Sequence, residues 1–206
     1  MNNAATPTDA ELLRLMLAGD DEAFTVLYRM HQGRVYRFAL LMSGSVHTAE
    51  EVTQEVFLFM IREANRYDSS RGSLSAYLLG VARNHVLRIL DRERAYTPLV
   101  EESNDDRAVL ITHLIARDDP LGNCTRNEVI SLVRRAVLAL PTRYREVVVL
   151  CDFEEQSYAE AALALDCPIG TVNSRLHRGH ALLLKKLRVA SELSAESDAQ
   201  GLRCFA

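Results

Sequence analysis

The residues from Gln156 to Leu187, QSYAEAALALDCPIGTVNSRLHRGHALLLKKL, constrain this chain more than any other stretch. They read as two helices with a short turn between them. Ser157, with Glu160 three residues later, forms a capping box for the first helix. Tyr158, Ala161, Ala162 and Leu165 give that helix an inward face. Pro168 suits the first position of the second helix, where no amide hydrogen is needed. Ile169, Val172, Leu176, Leu183 and Leu187 then recur at helical spacing, and Gly179 on the same stripe allows close packing. The other face shows Gly170, Asn173, Ser174, His177, Arg178 and Ala181, which are small or hydrogen-bonding residues. No acid stands between Asp166 and Glu192, whereas Arg175, Arg178, Lys185, Lys186 and Arg188 do. A basic helix with a polar reading face fits the DNA major groove. Taken alone, the stretch leaves open a packed helical hairpin with a basic solvent face.

The rest of the chain limits how DNA could be held. Formal net charge over 206 residues is -4, and the pI is about 5.9. A protein that coats nucleic acid by charge alone is excluded, so basic residues must act locally or a partner must supply affinity. Cys124, Cys151, Cys167 and Cys204 include no close pair and read as free thiols of a reducing cytoplasm. Cys167, His177 and His180 could be drawn as zinc ligands, but no CxxC accompanies them. There is no signal peptide and no apolar run of membrane-spanning length, so no membrane insertion is expected.

Helical punctuation runs through the chain from the N-terminus. Thr8 with Glu11 opens a short helix through Leu12, Leu15 and Met16 that stops near Gly19. Asp20 caps the next, which carries Phe24, Leu27, Tyr28, Val35, Phe38 and Leu41. Thr48 with Glu51 makes a third capping box, with Ala49, Val52, Val56 and Met60 inward. Glu50, Glu51, Gln54, Glu55 and Leu58 face outward. After Tyr67 the pattern breaks into the polar loop DSSRGS. A fourth helix follows with Leu74, Tyr77, Leu78, Val81, Val86 and Leu90, exposing Arg83, Asn84, Arg88, Arg92 and Arg94. Residues 98–124 turn acidic between Pro98 and Pro120 and read as a linker, with a short helix conceivable at Ala108–Ile115. Thr125 with Glu128 caps another helix, Leu140-Pro141 breaks it, and Arg143–Phe153 forms the next. Beyond Val189 the tail reads as frayed.

The expected fold class is therefore all-α. Two small helical domains, 9–97 and 125–190, are joined by the acidic linker 98–124, and the second is a helix–turn–helix, winged-helix-like, DNA-binding domain. No strand-like alternation is sustained. No Gly-rich phosphate loop and no nucleophile–base pair asks for catalysis, and no cofactor is implied. Glu50, Glu51 and Glu55 read as an acidic surface rather than a metal ligand set, since no histidine accompanies them at helical spacing.

Two separated stretches together resemble one family. AEEVTQEVF (Ala49–Phe57) followed by LSAYLLGVARN (Leu74–Asn84) is similar to the second region of bacterial sigma factors of the extracytoplasmic-function (ECF) group. LPTRYREVVVL (Leu140–Leu150) followed by SYAEAALALDCPIGTVNSRLHRG (Ser157–Gly179) resembles that group's fourth region. The order agrees, and no third domain intervenes. This chain departs from the family at Tyr77, usually Trp; at Asp166, usually Gly in the turn; and at Asn173 and His180, usually Lys or Arg. Asp tolerates the turn conformation better than most residues, and two missing cations should weaken phosphate binding.

The resemblance implies a dissociable specificity subunit that binds RNA polymerase core enzyme, brings it to promoter DNA, and is commonly held by an anti-sigma factor. It implies that Glu50, Glu51, Gln54 and Glu55 dock on polymerase. Arg71, Ser73, Arg83, Asn84 and Arg88 would act at the -10 element, and Asn173, Ser174, Arg175, His177, Arg178 and Lys185 at the -35 element. The acidic linker would thread a basic channel of polymerase or serve as a solvated tether. A stand-alone helix–turn–helix regulator is the rival from another class.

Overall fold

The structure is a computed structural model that describes the backbone of residues 7–96 and 124–201, and the side chains of 7–93 and 129–188. Its elements are α1 (Asp9–Leu17), α2 (Asp21–Ser43), α3 (Val46–Glu63), a 3-10 turn (Ala64–Arg66), α4 (Leu74–Tyr96), α5 (Cys124–Leu138), α6 (Thr142–Val148), a π-helical turn (Val149–Phe153), α7 (Tyr158–Leu165) and α8 (Ile169–Gly201). Among the described residues there is no strand. The expected linker, its short helix at 108–115 and the Thr125–Glu128 capping box lie outside the described residues or side chains.

The described residues group into two compact units. The first belongs to Met1–Thr97 with Val149–Val172, and the second to Pro98–Val148 with Asn173–Ala206. In the first unit α2 packs on α1, α3 and α4, and α4 also packs on α7. Leu27, Val35, Phe38, Met42, Val52, Val56, Met60, Leu74, Leu78 and Val86 fill its core. Burying each such side chain contributes about 1.5–3 kcal/mol. Phe24, Tyr28 and Phe57 add an aromatic cluster, with the Tyr28 and Phe57 ring centroids 4.7 Å apart. His31 Nε2 lies 3.1 Å from Asp9 Oδ1 and ties α1 to α2.

The second unit centres on Val137, Leu138, Leu140, Val147, Val148 and Leu176. The Arg145 guanidinium donates to the carbonyls of Leu138 and Leu140, satisfying the open end of α5. Gly179 is needed where α8 approaches α6. A Cβ there would stand 2.8 Å from Val148 Cγ2 and 3.5 Å from the Tyr144 carbonyl oxygen.

Local signals set most helix starts. Thr8 and Glu11 form the expected box, and Asp20 accepts from the amides of Glu22 and Ala23. The third start differs from expectation. Gly44 ends α2 in the left-handed conformation at φ 74°, which leaves Ser45 extended and able to cap. Ser45 accepts from the Thr48 amide, so α3 begins at Val46, and Thr48 is buried inside the first turn. In α1 the second buried leucine is Leu13, not Leu15. Tyr158 and Ile169, expected inward, are 46% and 53% exposed, each at the first position of its helix. α8 continues to Gly201 rather than fraying after Val189. No Gly or Pro falls between Gly179 and Gly201 to stop it.

Candidate nucleic-acid interface

The loop before α4 is built by its own side chains. Asp68 Oδ1 accepts from the Ser70 amide at 2.9 Å and from the Ser70 hydroxyl at 2.7 Å. Those two bonds, the hydroxyl's first, hold the Asp68 carboxyl below its ordinary range. The Arg71 amide donates to the Asp68 carbonyl at 3.0 Å, closing a turn. The Tyr67 hydroxyl donates to the Gly72 carbonyl at 3.0 Å and pins the far end of the loop. Burial pushes the pKa of the Tyr67 and Tyr77 hydroxyls above the ordinary value. Their rings lie 5.5 Å apart at an interplanar angle of 50°. Ser73 ends the loop and accepts from the Ala76 amide at 3.2 Å, starting α4.

Four of the five residues expected at the -10 element surround one cavity of about 390 Å³. Arg71, Ser73, Arg83 and Asn84 line it, together with Tyr67 and Tyr77. An aromatic pair, an amide with both donor and acceptor, and cations at the rim form a set that can hold an unstacked base and its phosphates. The fifth residue, Arg88, does not line the cavity. Its Nη2 lies 3.0 Å from His85 Nδ1. Burial first, then Arg88, holds the His85 pKa below its ordinary value. Sequence spacing alone did not single out Tyr67, whose hydroxyl acts through a backbone carbonyl five residues away. Leu163, Ala164 and Asp166 from α7 and its turn also line the cavity, a juxtaposition with no signal in either stretch by itself.

The helix–turn–helix follows its sequence cues closely. The Glu160 amide donates to Ser157 Oγ at 3.3 Å, and the Ser157 amide donates to Glu160 Oε2 at 3.1 Å. Asp166 occupies the corner at φ 49°, ψ 51°, the left-handed conformation in which a glycine is usual. The Pro168 carbonyl accepts from the amides of Thr171 and Val172, one position outside α8. Along α8, Val172, Leu176 and Gly179 are buried, while Asn173, Ser174, His177, Arg178 and Lys185 are exposed and Arg175 is half-buried. The exposed set recurs at three- and four-residue steps and presents amide, hydroxyl, imidazole and guanidinium groups on one side.

The acidic face of α3 is equally one-sided. Glu50, Glu51 and Gln54 are exposed and Glu55 is half-buried, opposite Ala49, Val52, Val56, Phe57 and Met60. Among the described residues no three His, Cys, Asp or Glu side chains group to hold a metal ion, and no helix is long and apolar enough to cross a membrane.

Comparison with known proteins gives these surfaces a family. A Sigma-70 region 2 model matches residues 27–96, and a Sigma-70, region 4 model matches residues 130–183. The chain is 30% identical over 176 residues to the ECF RNA polymerase sigma factor SigW of Bacillus subtilis (strain 168), spanning 82% of this chain and 91% of that protein. It is 32% identical over 185 residues to the ECF RNA polymerase sigma factor SigM of Mycobacterium tuberculosis (strain ATCC 25618 / H37Rv), spanning 87% and 85%. CnrH, solved in complex with the cytosolic domain of CnrY, superposes with a TM-score of 0.64 at 20% identity, covering 89% of this chain and 99% of CnrH. The sigma factor RpoE, solved with the anti-sigma factor NepR from Bartonella quintana, gives 0.63 at 20% identity, covering 81% and 97%. These two share the fold. With both regions present in order and relatives matched along most of their length, the chain belongs to the ECF sigma factors, which direct RNA polymerase core enzyme to specific promoters and assist DNA opening for transcription initiation.

Proposed function

We propose the following division of labour within that family role. Residues 9–97 bind core polymerase and capture the -10 element, residues 125–190 read the -35 element, and residues 98–124 join them. The observation that carries this reading is the cavity. A loop fixed by Tyr67 and Asp68 gathers Arg71, Ser73, Arg83 and Asn84 around one space. Asn84 reads the edge of an unstacked base, while Arg71, Arg83 and, farther along the helix, Arg88 hold phosphates. On α8, Asn173, Ser174, His177 and Arg178 meet base edges, and Arg175 and Lys185 hold phosphates. The protein acts in the cytoplasm and carries no catalytic centre of its own. Because CnrH and RpoE were solved bound to CnrY and NepR, we assign this chain an anti-sigma partner of its own.

Glu50, Glu51, Gln54 and Glu55 form the polymerase-docking face, where complementary charge speeds and orients encounter. Reversing Glu51 and Glu55 to Lys is expected to weaken core binding by about tenfold or more, since like charges across an interface cost several kcal/mol. Binding of labelled protein to purified core enzyme measures it, with circular dichroism to verify the fold. Unchanged affinity would remove this face from the interface.

A further inference from the structure

Most polar side chains around the -10 cavity are already engaged. The Tyr67 hydroxyl donates to the Gly72 carbonyl at 3.0 Å. Asp68 Oδ1 accepts twice from Ser70. Ser73 Oγ accepts from the Ala76 amide at 3.2 Å and donates to Glu160 Oε1 at 2.7 Å. These bonds shape the walls and occupy the groups that make them. Two lining side chains differ. Neither the Asn84 amide group nor the Tyr77 hydroxyl has a hydrogen-bond partner among the described residues.

The sequence places Tyr77 on the inward stripe of α4 with Leu74 and Leu78. Both leucines are fully buried, whereas Tyr77 is half-buried and lines the cavity. Its ring rests against Tyr67, with centroids 5.5 Å apart, and Tyr67 is itself tied to Gly72. A ring held this way keeps its hydroxyl in one place. Burial leads the causes that raise the pKa of that hydroxyl. A tyrosine hydroxyl drawn out of water usually has a partner, and one without a partner gains most from a ligand that supplies it. Tyr77 and Asn84 stand about two turns apart on one side of α4. Two turns rise roughly 11 Å. That span is too long for one base edge and suits two neighbouring nucleotides of a single strand.

We propose that Tyr77 is a second base-reading residue, whose hydroxyl meets the edge of the nucleotide next to the one held by Asn84. The inference rests on the reading of this cavity as the site of base capture. A phenolic hydroxyl both donates and accepts, so it can pair with an exocyclic amine or with a ring acceptor. The indole of tryptophan, usual at this position in the family, only donates. Base preference at the second nucleotide is then set by this chain's departure from the family.

Tyr77→Phe keeps the ring and removes the hydroxyl. Wild-type, Tyr77→Phe and Asn84→Ala holoenzymes are compared on a template library whose -10 region is pre-opened and randomised. Transcripts are counted by sequence, and thermal melting verifies that both variants fold. Tyr77→Phe is expected to flatten base preference at one position by about fivefold, the worth of one hydrogen bond, and to leave the others as they were. The affected position should adjoin the one that Asn84→Ala flattens. A residue that merely braced the helix would lower output on all sequences alike. That uniform loss, an unchanged preference, or a change confined to the Asn84 position overturns the inference. If Asn84→Ala shifts a preference and Tyr77→Phe does not, the cavity reading stands without Tyr77. If neither variant shifts one, both fall together.

Discussion

Asn84→Ala holoenzyme should fail to open duplex promoter DNA while still engaging a template whose -10 region is already unpaired. Extracting a base costs a few kcal/mol of stacking and pairing, which contacts in the pocket must recover. The Asn84 amide supplies one donor and one acceptor to a base edge, a pairing of about 1–3 kcal/mol. Losing it should slow opening by roughly five- to a hundredfold. The loop around it should persist, because Tyr67 and Asp68 fix its shape without Asn84. Permanganate footprinting reads unpaired thymines on duplex and bubble templates side by side. Normal opening on the duplex, with an unchanged base preference at -10, would take Asn84 out of this role.

Arg178→Ala should cost about 1–3 kcal/mol of promoter binding and relax discrimination at one base pair of the -35 element. Arg178 is exposed on the side of α8 opposite buried Leu176 and Gly179. Its guanidinium can bridge the two acceptors on a guanine edge in the major groove, whereas a lysine ammonium acts only as a point charge. Lys185→Ala is the companion measurement. As a phosphate contact it should weaken all sequences alike and make the salt dependence shallower. Selection of binding sites from a randomised -35 library by wild-type and Arg178→Ala holoenzyme reads the difference. A uniform loss across sequences would make Arg178 a phosphate contact.

Features that live within one helix were legible in the sequence. The capping boxes at Thr8–Glu11 and Ser157–Glu160 formed as spaced, and the Val172–Leu176–Gly179 stripe is buried. Asp166 took the left-handed corner that the missing glycine leaves. The third helix is capped by Ser45 rather than Thr48, although both residue types cap well. Gly44's conformation, visible only in the folded chain, selected Ser45. Periodicity also assigned Tyr158 and Ile169 inward, but a stripe says which side is apolar, not how far the covering helices extend. Contacts between distant residues left no local trace. Arg37 meets Glu154 across 117 positions, and Ser73 meets Glu160 across 87. Arg37 and Glu154 carry no signal in the sequence, and the signals at Ser73 and Glu160 concern other contacts. The cavity was half legible: the loop came from the pattern and the role of Asn84 from the resemblance, whereas the share contributed by α7 and its turn came from packing.

Run-off transcription with purified core polymerase on a promoter pool measures the whole scheme at once. Core alone should give no discrete start sites, and added chain should give transcripts from a subset of promoters. That subset should shrink with Glu51→Lys/Glu55→Lys, shift in -35 sequence with Arg178→Ala, and be restored to Asn84→Ala on pre-opened templates. Promoter-specific DNA binding by the chain alone, with no specific transcript when core is added, would contradict it.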